Sequence, residues 1–161
     1  PRVKTAPEGL AKQHAIAMLC WDGNRKAQEA LRQVRALREQ LRDRRAKVKD
    51  GDLTEALAAL DRKAAALEGA GGGGRRGGGG RFGNVGGEGS LTRLNFQLLA
   101  LMALVEGADV PPTTQAVAAS DEVRRSLAAL LRTWGALKDR DLKALNDRLR
   151  EAKLPAVSLV P

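Results

Sequence analysis

The chain has 161 residues, with 28 Lys+Arg against 19 Asp+Glu, a formal net charge of +9 and a pI near 10.4. Apolar residues make up 43%, enough for one modest core, yet aromatics are only 2% and Tyr is absent. So few aromatic and β-branched side chains argue against a sandwich or barrel, and one Cys with one His allows neither an internal disulfide nor a Cys/His zinc site.

In chain order, the first predicted element is a long helix from about Pro7 to Lys49. Cys20, Ala27, Val34, Leu41 and Val48 recur every seven residues, and Ile16, Gly23, Ala30 and Leu37 fill the intermediate positions. That is the seam of a left-handed helix pair. Between the seam positions, Arg32, Arg35, Arg38, Arg42, Arg44, Arg45, Lys47 and Lys49 form a solvated face. Asp50-Gly51-Asp52 breaks the helix. Gly51 tolerates a positive φ there, Asp52 is placed to cap the next helix, and Glu55 is its capping-box partner. Leu53, Leu57, Leu60, Ala64 and Leu67 make the second stripe.

Thirteen of the 18 glycines fall between Gly69 and Gly89, a tract that cannot be helix and that needs packing partners to be ordered. Beyond it, Ser90 caps a third helix with the stripe Leu91, Leu94, Leu98, Leu101 and Val105, which Phe96 and Met102 widen. Gly107 and Pro111-Pro112 end that helix. Thr113 or Thr114 starts a fourth, whose seam runs Ala116, Val123, Leu127, Leu130, Trp134 and Leu137. Asp139 and Asp141 mark a kink or restart before Leu142, Leu145 and Leu149, and Pro155 leaves an extended tail.

The fold expected is therefore all-α, an antiparallel four-helix bundle of long–short–short–long helices with a Gly-rich loop between helices 2 and 3. Three helices with a detached arm is the alternative. The organisation expected is a hairpin at 1–68, the Gly-rich loop at 69–89, a second hairpin at 90–154 and a tail at 155–161, together one bundle domain.

Catalytic constellations are hard to assemble from these residues. His14 and Cys20 lie six apart and diverge on a helix, so they form no nucleophile–base pair without a bend. No phosphate loop ends in Gly-Lys-Ser or Gly-Lys-Thr, and Asp139, Asp141, Asp121 and Glu122 suit caps and early helical turns. The expectation is a chain without catalysis of its own, without cofactor and without metal. No apolar run approaches the length of a membrane span, and neither a signal peptide nor an initiator Met opens the sequence.

Charge is the stronger signal. Residues 1–50 carry 13 Lys+Arg and six Asp+Glu, and so hold +7 of the net +9. Arg35, Arg38, Arg42 and Arg45 on the first helix, with Arg75, Arg76, Arg81 and Phe82 in the glycine tract, are the candidate contacts for an anionic partner, nucleic acid included. The scarcity of stacking aromatics counts against nucleic acid. Trp21 and Trp134 lie on or beside apolar stripes and are read as core; an outward-facing Trp21 would instead anchor a partner.

Four strings carry a resemblance: PRVKT at the start, LAKQHAIAMLC, EGADVPPTTQ from Glu106 to Gln115, and LLRTWGALKDRDLKALNDRLREAKLP near the end. The last contains Trp134, then Asp141-Leu142 and Leu145-Asn146. Together they resemble the C-terminal helical region of bacterial secreted proteins with sortilin-like, BNR-repeat β-propellers, often labelled glycosyl-hydrolase-like. The resemblance covers nearly all of the chain except the glycine tract. It implies that the chain is a segment of a longer exported polypeptide, in the extracellular space or cell envelope, whose propeller precedes it. The sites of such a family would lie on the propeller, so no active-site residue is carried over. The partners expected are a second copy or the parent propeller.

Overall fold

The first helix runs for 41 residues because nothing in it interrupts the apolar seam. The computed structural model describes residues 6–69, 89–107 and 110–159. Helix α1 spans Pro7–Lys47, opening on a proline whose missing N–H costs nothing at that position. Every seam residue from Ile16 to Leu41 is buried, and Val48 packs half-buried behind them. Helices α2 (Gly51–Glu68), α3 (Leu91–Glu106) and α4 (Thr114–Ala136) follow, and α4 continues through a π-helical segment, Leu137–Leu142, into α5 (Lys143–Glu151). The chain is all-α, a four-helix arrangement when α4 to α5 is counted as one rod, with no strand among the described residues.

Side-chain bonds between helices define the topology. Gln13 Nε2 donates to Val105 O at 2.6 Å, and Asn24 Nδ2 to Asn95 Oδ1 at 2.8 Å, so α3 runs antiparallel to the first half of α1. Arg35 Nε donates to Glu68 Oε1, and Arg38 Nε to Asp61 Oδ1, both at 2.8 Å, so α2 runs antiparallel to the second half. Thus α2 and α3 lie end to end along one side of α1. Thr92 Oγ1 donates to Glu68 O at 2.5 Å where the two helices meet. The α4–α5 rod runs parallel to α1: Leu127 packs near Gly23, and Trp134 Nε1 donates to Gln33 Oε1 at 3.2 Å. A section at any height cuts three helices, although four make up the chain. Gly23 sits where α1, α3 and α4 approach, and a Cβ there would lie 3.1 Å from Leu98 and 3.5 Å from Leu127.

Helix ends follow the sequence with two corrections. Ser90 and Thr113 cap α3 and α4 through bonds to Arg93 N and Ala116 N. Asp50, not Asp52, caps α2: its Oδ1 accepts from Asp52 N at 2.8 Å and from Leu53 N at 3.1 Å. The helix therefore begins one residue before Asp52, at a Gly51 whose φ is not positive, and Glu55 pairs with Arg62 instead of closing a capping box. Asp50 wins because it is the last residue with extended backbone, the conformation a cap requires. The second correction is Phe96, which is 57% exposed and does not widen the α3 stripe. It stands two residues from both Leu94 and Leu98, about 160° to 200° around the helix from the core.

The kink expected near Asp139 is a π segment, and its purpose is register. Trp134, Leu137, Leu142, Leu145 and Leu149 are all buried. Leu137 and Leu142 are five apart, which on an α-helix places them about 140° from alignment. The wider i→i+5 turn brings both onto the core face. Asp141 holds the segment from outside, receiving Lys63 Nζ at 2.7 Å and Arg140 Nε at 2.8 Å.

Residues 154–159 form no helix or strand, and they are docked against the bundle. Lys153 takes a left-handed conformation, φ 57°, while Leu154 N donates to Leu149 O and Lys153 N to Arg150 O, which reverses the chain after α5. Val157 is buried. Asn146 bonds both the N–H and the carbonyl of Val157, at 2.8 and 2.9 Å, and Gln40 does the same for Ser158, at 3.1 and 2.6 Å.

Deleting Asp139 removes the extra residue of the π segment and lets Leu137 and Leu142 align on an ordinary helix. Urea unfolding followed by circular dichroism is expected to find that variant within about 1 kcal/mol of the parent. Deleting Ala128, where no extra residue exists, rotates Trp134 and Leu137 out of the core. That variant is expected to lose about 3 kcal/mol or more. Equal losses would overturn the register account.

Candidate interaction surfaces

The two halves of the bundle have different surfaces. One half comprises residues 6–30, 91–107 and 110–127; the other comprises 31–69 and 128–159. All nine large apolar side chains that stand exposed among the described residues belong to the first half: Leu10, Met18, Leu19 and Trp21 on α1, Phe96, Leu99 and Leu104 on α3, and Val110 and Val117 at the start of α4. That half contains six Lys+Arg and six Asp+Glu, so it is net neutral. The second half contains 17 Lys+Arg and 11 Asp+Glu, a net +6.

Trp21 faces solvent at 52% exposure, which overturns its reading as a core residue. Leu10, His14, Met18 and Trp21 fall at i, i+4, i+8 and i+11, on one side of α1 turned away from the seam. The Arg25 guanidinium lies 6.0 Å from the Trp21 ring centroid and bonds Asp22 at 3.3 Å, fixing one edge of this stripe. Trp134, in contrast, is buried with its indole N–H satisfied by Gln33.

The four arginines singled out on α1 divide by environment. Arg38 is an internal group: its side chain is 13% exposed and held by Asp61 at 2.8 Å and by Glu68 at 2.5 Å. Arg35 is exposed but gives its Nε to Glu68, and Arg42 reaches Asp61 at 3.7 Å. Arg45 is exposed and makes no ion pair among the described residues, as are Lys47 and Lys49. A partner anion therefore meets the end of α1 before Arg38. Arg75, Arg76, Arg81 and Phe82 lie outside the described residues.

Burial tends to push the Glu68 carboxyl up, but hydrogen bonds from Arg35 and Arg38 outweigh it and hold the group below its ordinary value. Asp141 is likewise lowered, first by Arg140 and then by Lys63. The Glu68 pairs and the Lys63–Asp141 pair join helices, whereas Arg140 and Asp141 are neighbours in one segment. Cys20 is buried, and burial pushes its thiol up, away from the reactive thiolate; His14 is exposed. Two shallow clefts flank α1. One of 360 Å³ against α4 is lined by Glu29, Gln33, Trp134 and Lys138 among others, and one of 570 Å³ at the start of α3 by Arg25, Arg32, Arg35, Thr92 and Asn95 among others. Among the described residues no group of three or more His, Cys, Asp or Glu side chains is placed to hold a metal ion, and no helix is long and apolar enough to cross a membrane.

Sequence reasoning singled out Trp21 but missed the other large apolar side chains exposed in this half. The signal was present in the off-seam positions: Leu10, Met18, Phe96 and Leu104 each depart from the stripe of their own helix.

Because the Glu68 carboxyl is lowered in the folded chain, its stabilising effect is complete above its unfolded value and is lost as pH falls through its folded value. Glu68→Gln is expected to flatten the acid limb of the stability–pH curve, measured by urea midpoints between pH 7 and pH 3. An acid limb parallel to the parent's would show that the pair contributes nothing. No protein-family model matches the chain, and comparison with curated proteins and with solved structures returns no similar protein.

Proposed function

We propose that this chain is a non-catalytic structural and interaction module that mediates self-association or assembly, and that it is the C-terminal helical segment of a larger exported β-propeller protein of the sortilin-like, BNR-repeat kind. One observation carries the interaction reading: Leu10, Met18 and Trp21 stand exposed along one side of α1. A row of exposed apolar side chains edged by polar groups is a usual mark of a contact site. The origin rests on the resemblance of the strings around Glu106–Gln115 and Trp134–Asn146, and an extracellular or envelope location follows from it. In that setting the partners are a second copy or the parent propeller.

A second reading is favoured by the +6 half, where Arg45, Lys47 and Lys49 stand exposed: binding of a polyanion, nucleic acid or acidic polysaccharide. It makes no use of the apolar patch.

Light scattering on the purified chain is expected to give masses above 17.2 kDa as concentration rises. A mass of 17.2 kDa up to high concentration, with no binding to the parent propeller, would remove the assembly reading. For the alternative, binding of labelled DNA duplex or heparin should weaken by orders of magnitude between 50 and 200 mM salt, about the range set by six or more phosphate contacts.

A further inference from the structure

The cleft at the start of α3 gathers three arginines that the fold already holds in place. Arg25, Arg32 and Arg35 line it from α1, and Thr92 and Asn95 line it from α3. Its volume is 570 Å³, within the range of about 300–1,000 Å³ where small-molecule sites fall. We propose that this cleft binds a small oligoanion, a molecule carrying two or more phosphate or carboxylate groups. Such a site is independent of the assembly reading, and it lies apart from Arg45, Lys47 and Lys49 at the end of α1.

The three guanidinium groups are oriented before any ligand arrives. Arg25 bonds Asp22 at 3.3 Å through one Nη and stands 6.0 Å from the Trp21 ring centroid. Arg32 bonds Glu29 through one Nη, and Glu29 is fixed in turn by Gln33 at 2.9 Å. Arg35 gives its Nε to Glu68 at 2.8 Å. Each group therefore uses one nitrogen on a carboxylate of its own chain, while a guanidinium carries five N–H donors. The pairs hold the forks in position and leave donors over for a ligand. Less side-chain freedom is then lost on binding than three unrestrained arginines would lose.

Charge and spacing set the class of ligand. The lining holds three cations and one carboxylate, that of Glu29. Arg25 and Arg35 are ten residues apart, about 15 Å along the helix axis, so a single oxyanion does not bridge them and a short chain of oxyanions does. Guanidinium forks match phosphate and carboxylate oxygens alike. Neutral donors stand beside them. Asn95 accepts from Asn24 at 2.8 Å through its Oδ1, which leaves its Nδ2 to donate, and Gln28 is exposed between Arg25 and Arg32 on α1. Thr92 lies in the first turn of α3, the positive end of that helix's dipole.

Isothermal titration calorimetry of the 161-residue chain at constant ionic strength tests the site, with sodium pyrophosphate and citrate as the probes. At least one of the two is expected to bind saturably, one molecule per chain, and orthophosphate about tenfold more weakly or less. Tighter binding of pyrophosphate assigns the cleft to phosphate groups, and tighter binding of citrate assigns it to carboxylates. Arg32→Gln and Arg35→Gln should each weaken binding about tenfold, the effect of losing hydrogen bonds to a charged group, while circular dichroism stays helical. Arg45→Gln and Lys49→Gln should leave binding unchanged. The proposal is overturned by the absence of saturable binding with both probes. It is equally overturned if orthophosphate binds as well as they do, or if Arg45→Gln costs as much as Arg32→Gln, since unspecific attraction to a +9 chain gives those results.

Discussion

The unbroken seam of α1 is the constraint on which the rest of the bundle depends. At 1.5 Å per residue its 41 residues span about 60 Å. An apolar stripe of that length must be covered along all of it, and neither α2 with 18 residues nor α3 with 16 reaches half the span. Placed end to end they cover about 50 Å, which is why they form one broken column beside α1. The break needs its own bonds, because two helix ends meet there. Glu68 supplies them: its carboxylate takes Arg35 and Arg38 from α1, and its carbonyl takes Thr92 from α3. Glu68 and Thr92, on either side of the glycine tract in sequence, are thereby joined.

The third column meets the same length requirement in another way. A single helix facing α1 for some 38 residues accumulates a mismatch between its 3.6-residue period and a sequence stripe that is not perfectly periodic. Here the mismatch is taken up in one step, between Leu137 and Leu142. The residues around this step are tied to three different partners: Trp134 to Gln33 on α1, Asp141 to Lys63 on α2, and Asn146 to Val157 in the tail. Each bond joins the rod to a different neighbour, so the phase change is located and not free to slide.

Most of the fold was legible because apolar spacing reports burial directly. The heptad positions of α1 and the five-residue set from Leu53 to Leu67 are buried almost without exception, and the caps at Ser90 and Thr113 follow from side chains that can reach two or three residues ahead. What sequence did not reveal depended on long-range partners. Nothing local distinguishes Arg38, internal and doubly paired, from Arg45, exposed and unpaired, since both are arginines on the same helix. The docking of the tail needed Gln40, 118 residues away from Ser158. Phe96 was assigned to the core because it is aromatic and near a stripe, whereas its angle on the helix places it in water.

Among the described residues the net charge is +6, and all of it lies in one half of the bundle. In the basic half three of the eleven acids are spent on bonds between elements. Asp61, Glu68 and Asp141 each receive two cations that join α1 to α2, α2 to α5's rod, or neighbours within it. Their partners are fixed by the fold, and the surplus cations at Arg45, Lys47 and Lys49 remain for water or an anion. In the neutral half several ion pairs are local, Asp22 with Arg25 and Lys26 and Asp121 with Arg124, all on single helices. Exposed pairs of that kind add little to stability, and their effect there is to cancel charge beside the apolar side chains. Trp21 and Phe96 in solvent each forgo on the order of 1 kcal/mol of burial. Among the described residues, surplus positive charge and exposed large apolar side chains therefore occupy different halves of the bundle, although bonds between helices, such as Gln13 to Val105 and Arg38 to Asp61, hold both halves together.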